Sequence, residues 1–80
     1  MLMSETVKNI NEFFRNALQI EVDDLVSKLA LSERQLKVFE MFYIKRYDIH
    51  SISEEIGASE TSVARELKRV RTKIAKVLGY

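Results

Sequence analysis

An all-α fold of four to five helices is what this sequence predicts, and three observations predict it. The chain has no proline and only two glycines in 80 residues, so little in it interrupts a helix. Apolar residues recur at steps of three and four through most of its length. Runs of alternating β-branched residues, which would argue for strands, are scarce.

The first helix runs from Ser4, its N-cap, to about Leu18. Val7, Ile10, Phe14 and Leu18 fall on one face, widened by Phe13 and Ala17. That face is broad for a small core to cover, so residues 1–20 are expected to form an amphipathic helix that binds a second copy or another protein through Val7, Ile10, Phe13 and Phe14. Packing on its own domain is the other reading. Asp23 and Asp24 favour a new helix start because carboxylates suit the positive N-terminus, and Val22, Leu25, Val26 and Leu29 follow at helical spacing. No glycine or proline separates the two stripes, so one long helix from about 4 to 29 fits equally well.

Ser32 followed by Gln35 is a capping box, in which hydroxyl and amide each satisfy a free backbone N–H. The helix it opens runs to about Ile44, and with Leu36, Val38, Phe39, Met41, Phe42 and Tyr43 it is the most hydrophobic and is expected to be central. Asp48 caps a short helix marked by Ile49, Ile52 and Ile56, and Gly57 ends it by accepting a left-handed conformation. Ser59 caps again. The last helix runs from Glu60 to about Leu78 and is closed by Gly79. Its Val63, Leu67, Val70 and Ile74 fall within a narrow arc at about 100° per residue.

Bulk composition bounds the function. A chain of this length buries only about 60 % of its unfolded surface, which favours a partner or a second copy. With no cysteine, disulfides, thiol nucleophiles and thiolate metal sites are excluded, and a single histidine leaves little for metal chemistry. No metal site, cofactor or catalytic residue is expected, because no acid, base or nucleophile groups converge in the pattern. No apolar run is long enough for a membrane span, and the start lacks a secretory pattern, so a cytoplasmic protein is expected.

Net charge is +1, but it is unevenly spread. Residues 1–58 hold seven Lys and Arg against ten Asp and Glu, a balance of −3, whereas residues 59–80 hold six against two, a balance of +4. A basic end on a nearly neutral chain points to a polyanion or an acidic protein surface.

A short helix, a tight glycine turn and a longer basic helix form the layout of a helix-turn-helix, whose second helix enters the DNA major groove. Residues 21–80 are expected to be that DNA-binding domain. Opposite the apolar arc of the last helix lie Thr61, Arg65, Lys68 and Thr72, with Arg69 and Lys76 nearby. Thr61, Arg65 and Lys68 are candidates to read base edges, Arg65 having the fork for a bidentate bond to guanine. Arg69, Arg71 and Lys73 are candidates for backbone phosphates, joined by Ser59 and Ser62 at the helix start. Glu60 suits the helix dipole, and Glu66 is placed to pair with Arg69 or Arg71. His50 is expected to be an exposed residue of a first turn.

The stretch LSERQLKVFEMFYIKRYDIHSISEEIGASETSVARELKRVRTKI, residues 31–74, resembles region four, the C-terminal promoter-reading domain of bacterial sigma factors. Leu31, Arg34, Gln35, Tyr43 and Ile44 match its leading helix. Ile52, Glu54, Ile56 and Gly57 match the next, and Ser59, Val63, Leu67, Arg69, Arg71 and Lys73 match the last. The weaker pattern over 22–30 also suits it, while LuxR-type regulators share the scaffold but fit the basic series less well. The resemblance implies binding to the minus-thirty-five promoter element, with base contacts at Glu60, Thr61 and Arg65, and contact with the flap of RNA polymerase. Arg46 stands where that family often has glycine, Ser53 where it usually has alanine and Ala58 where a larger apolar residue is common, which implies looser turns and packing. The chain has no room for a promoter-melting domain. The expectation is a bacterial or phage transcriptional regulator that binds double-stranded DNA; the alternative is a protein-interaction module that grips RNA polymerase or a sigma factor with little DNA contact.

Overall fold

The computed structural model describes residues 5–80, so the expected cap at Ser4 lies outside the described residues. These residues are helical almost throughout and contain no strand. The helices are α1 (Glu5–Asn16), α2 (Gln19–Leu29), α3 (Glu33–Phe39), a π-helical turn (Glu40–Ile44), α4 (Ile49–Ile56) and α5 (Glu60–Leu78). The chain divides into two compact units, Met1–Ala30 with Arg71–Tyr80, and Leu31–Val70.

In the first unit, α1 and α2 are separate helices. The break falls at residues 17 and 18, ahead of the position the sequence suggests, and α2 starts at Gln19 rather than near Asp23. The cause is Glu21, whose carboxylate accepts the N–H of Leu18 at 2.9 Å and so satisfies a donor at the helix start from the third helical position. Leu18 itself has no polar side chain, and a search for Ser, Thr, Asp or Asn caps passes over it. At its other end α2 stops at Ala30, in the left-handed region at φ 51°. Among the described residues, Ile10, Val22, Leu25, Leu29 and Ile74 are the buried side chains of this unit.

The second unit is built around α3 and the π-helical turn. Ser32 and Gln35 form the expected reciprocal cap, each bond measuring 3.2 Å. The helix then widens: the N–H of Lys45 bonds the carbonyl of Glu40, five residues back. Val38, Phe39, Met41 and Tyr43 are buried and lie on several sides of the helix axis, as a central helix requires, while Leu36 and Phe42 are only half-buried. Tyr43 rests against Phe39 and edge-on to Phe42 at centroid distances of 5.7 and 5.0 Å. After the turn, Arg46 takes φ 63°. That left-handed geometry is the physical reason glycine suits this position, and here the arginine backbone adopts it.

α4 packs on the π-helical turn and buries Ile52 and Ser53. Ser53 does not loosen the packing: its hydroxyl donates to the His50 carbonyl at 2.7 Å. Among the described residues no buried side-chain polar atom lacks a partner.

Candidate nucleic-acid interface

The corner between α4 and α5 lies wholly within the second unit. Asp48 opens α4 by accepting the Ser51 N–H at 2.7 Å, and that hydrogen bond holds its carboxyl below the usual value. Gly57 ends α4 at φ 68°, and the Ala58 N–H closes the turn on the Ser53 carbonyl at 3.0 Å. Ser59 then caps α5, its hydroxyl oxygen accepting the Ser62 N–H at 3.1 Å. The corner is short because each helix end is satisfied within it.

Along α5, Val63 and Val70 are fully buried and Leu67 nearly so. With that face fixed, the residues about half a turn away point outward. Glu60, Thr61, Arg65 and Lys68 are all exposed. Of the expected phosphate residues, Ser59 and Arg69 are exposed and Ser62 is half-buried. Glu66 takes the first of its two expected partners, forming an ion pair with Arg69 while only 13 % of its own side chain is exposed. Arg71 and Lys73, both half-buried, belong to the other unit, where Lys73 donates to the Ala30 carbonyl.

Two residues with no role assigned from the sequence stand in this site. A shallow recess of about 350 Å³ is lined by Ser32, Arg34, Ser62, Arg65, Glu66 and Arg69, so Arg34 of α3 joins the arginines of α5 around one carboxylate. Its distance from them in sequence hid this. His50 has Nε2 2.7 Å from Glu54 and Nδ1 3.3 Å from Glu60 across the corner. The Glu60 hydrogen bond, and then the charge of Glu54, raise its pKa above the ordinary value. Only the Glu54 contact, four residues along one helix, was readable as a spacing.

A short capped helix, a glycine corner and a basic helix with one face buried and the other clear together define a helix-turn-helix. The family model for sigma-70, region 4 matches residues 22–74. The chain belongs to the sigma-70 region 4 family. No curated protein and no solved structure matches it significantly. The family match begins at Val22 and so takes in α2 from its fourth residue, all of the second unit and α5 as far as Ile74. Region 4 is a DNA-binding helix-turn-helix domain, and the corner described above is that motif in this chain. α1 lies outside the match. There the expected contact residues divide: Ile10 is fully buried within the single chain, which removes it from any exposed contact face, whereas Val7, Phe13 and Phe14 are half-buried. Among the described residues, the large exposed apolar side chains of this unit are instead Leu18, Ile20, Val77 and Tyr80. Among the described residues no helix is long and apolar enough to cross a membrane, and no group of His, Asp and Glu is arranged to hold a metal ion.

Proposed function

We propose that this region 4 protein is a transcriptional regulator that binds double-stranded DNA by laying α5 in the major groove. The observation that carries the reading is the division of α5: Val63, Leu67 and Val70 are buried, and Thr61, Arg65 and Lys68 are exposed. Arg65 reads a base edge bidentately, with Glu60, Thr61 and Lys68 beside it. Ser59, Ser62 and Arg69 meet the phosphate backbone, with Arg34 joining them from α3 and Arg71 and Lys73 adding charge further along. The protein acts by binding, in the cytoplasm of a bacterium or of a cell infected by a phage. Residues 21–80 supply the DNA contact and residues 1–20 a contact with a partner or a second copy, since one such module makes few contacts and commonly works on paired half-sites.

The test is selection of bound sequences from a random DNA pool, followed by titration of variants. Arg65→Ala is expected to relax preference at one base pair at a cost of about 1–3 kcal/mol, whereas Arg69→Gln weakens all sequences alike and flattens the salt dependence. Equal, small losses for both would defeat the assignment.

A second reading, in which the protein grips RNA polymerase or another protein and touches DNA weakly, is favoured by one observation. Ile20 is 74 % exposed beside a groove of about 420 Å³ that it lines with Phe13, Leu25, Val77 and Leu78. Retention of DNA only in the presence of polymerase would select this reading.

A further inference from the structure

The two ring nitrogens of His50 both face carboxylates. Nε2 lies 2.7 Å from an oxygen of Glu54, one turn along α4, and Nδ1 lies 3.3 Å from an oxygen of Glu60, the first residue of α5. An ionised carboxylate only accepts hydrogen bonds, and a neutral imidazole carries one N–H, so only the doubly protonated ring satisfies both partners. The charged groups that bear on the ring are Glu54 and the cap Asp48 from α4 and its start, and Glu60 from α5, and all three are acidic.

Glu60 occupies the first helical position of α5, at the end that the DNA-binding reading directs toward base edges. A free carboxylate there is repelled by phosphates, while one held in place can accept from the amino group of a cytosine. We propose that His50 is a positioning residue for DNA recognition, clamping Glu60 through its protonated ring and so setting base preference at the position Glu60 faces. The inference rests on the proposed DNA-binding function.

The clamp makes a specificity that depends on pH. With the ring charged, Glu60 is oriented and its charge offset. With the ring neutral, one of the two bonds is lost and Glu60 faces the duplex as an uncompensated anion. Overall affinity for DNA rests on contacts along the rest of the helix, so it changes less than preference at that one position.

The test uses the full chain. Competitive titrations with duplexes that differ only at the base pair opposite Glu60, run at about pH 5.5 and about pH 8, compare wild type with His50→Gln and Glu60→Gln. Discrimination in the wild type is expected to change by about fivefold or more between the two values, the scale of one good base contact. Both variants are expected to lose that dependence. In parallel, NMR titration of the His50 ring is expected to show its midpoint fall in Glu60→Gln, a variant that leaves Glu54 in place. Wild-type binding with a pH profile of discrimination that His50→Gln leaves intact, or a ring midpoint indifferent to Glu60→Gln, overturns the clamp and leaves DNA binding standing. Absence of DNA binding by the wild type at either pH overturns the functional reading, and the clamp's role in specificity falls with it.

Discussion

Lys73 donates from Nζ to the carbonyl oxygen of Ala30 at 3.2 Å, joining positions 43 residues apart in the first unit. The carbonyl belongs to the C-cap of α2, where unpaired acceptors and the negative end of the helix dipole concentrate. A lysine that charge patterning assigns to DNA phosphates therefore also closes a helix. Lys73→Met is expected to lower stability by about 0.5–1 kcal/mol, seen as a lower urea midpoint with no DNA present. An unchanged midpoint would show that this bond contributes nothing measurable to the fold.

Ala30 and Arg46 carry left-handed backbones at φ 51° and 63°, conformations that cost a residue with a β-carbon about 1–2 kcal/mol. Glycine removes that cost but gains freedom in the unfolded chain. Ala30→Gly and Arg46→Gly are each expected to stabilise by about 0.5 kcal/mol and, being far apart in sequence and in different units, to add. Thermal denaturation of the two single variants and the double variant measures this.

Glu66 offsets the charge of Arg69 within the recess that also holds Arg34 and Arg65. Glu66→Gln releases that guanidinium. Affinity for DNA of any sequence is expected to rise, because the carboxylate no longer offsets the arginine that meets the phosphates. An affinity equal to that of the wild type would show that Glu66 does not offset Arg69 in the complex.

The reciprocal Ser32 and Gln35 cap opens the central helix of the second unit. Ser32→Ala is expected to cost about 1 kcal/mol, a fall in thermal midpoint of roughly 4–8 °C for a domain of this size. Gln35→Ala, which frees the cap's own N–H, is expected to cost less.

The corner of the helix-turn-helix is held most firmly in an acidic window whose limits follow from two opposite shifts. His50 has a raised pKa, so its contribution is complete below its ordinary value of 6.5 and disappears as pH rises through the raised one. Asp48 has a lowered pKa, so its contribution is complete above its ordinary value of 3.8 and disappears as pH falls through the lowered one. Both are fully present between 3.8 and 6.5. The difference in thermal midpoint between wild type and His50→Gln is expected to be greatest in that window and to vanish in alkaline solution.

Much of this was legible in the residues because it is local. Ser32 with Gln35, Asp48, Gly57 and Ser59 each satisfy backbone groups within a few positions, so their pattern carries the boundary without knowledge of the rest of the chain. The buried arc of α5 was legible for the same reason, since helical geometry fixes which side chains share a face. The start of α2 was not, because its cap is a carboxylate inside the helix and the residue at the cap position is a leucine. The π-helical turn was hidden as well, since it differs from an α-turn by one backbone bond and leaves the apolar composition the same.

What the sequence determined by itself is the helical class, most boundaries and the two-faced character of α5, all of which follow from interactions between residues a few positions apart. Tertiary structure decided which partners distant side chains meet: Arg34 beside Arg65 and Arg69, Lys73 on Ala30, His50 against Glu60, and Ile10 in the core rather than on a contact face. Such pairings depend on how separate helices pack, and periodicity along one helix holds no record of its neighbours.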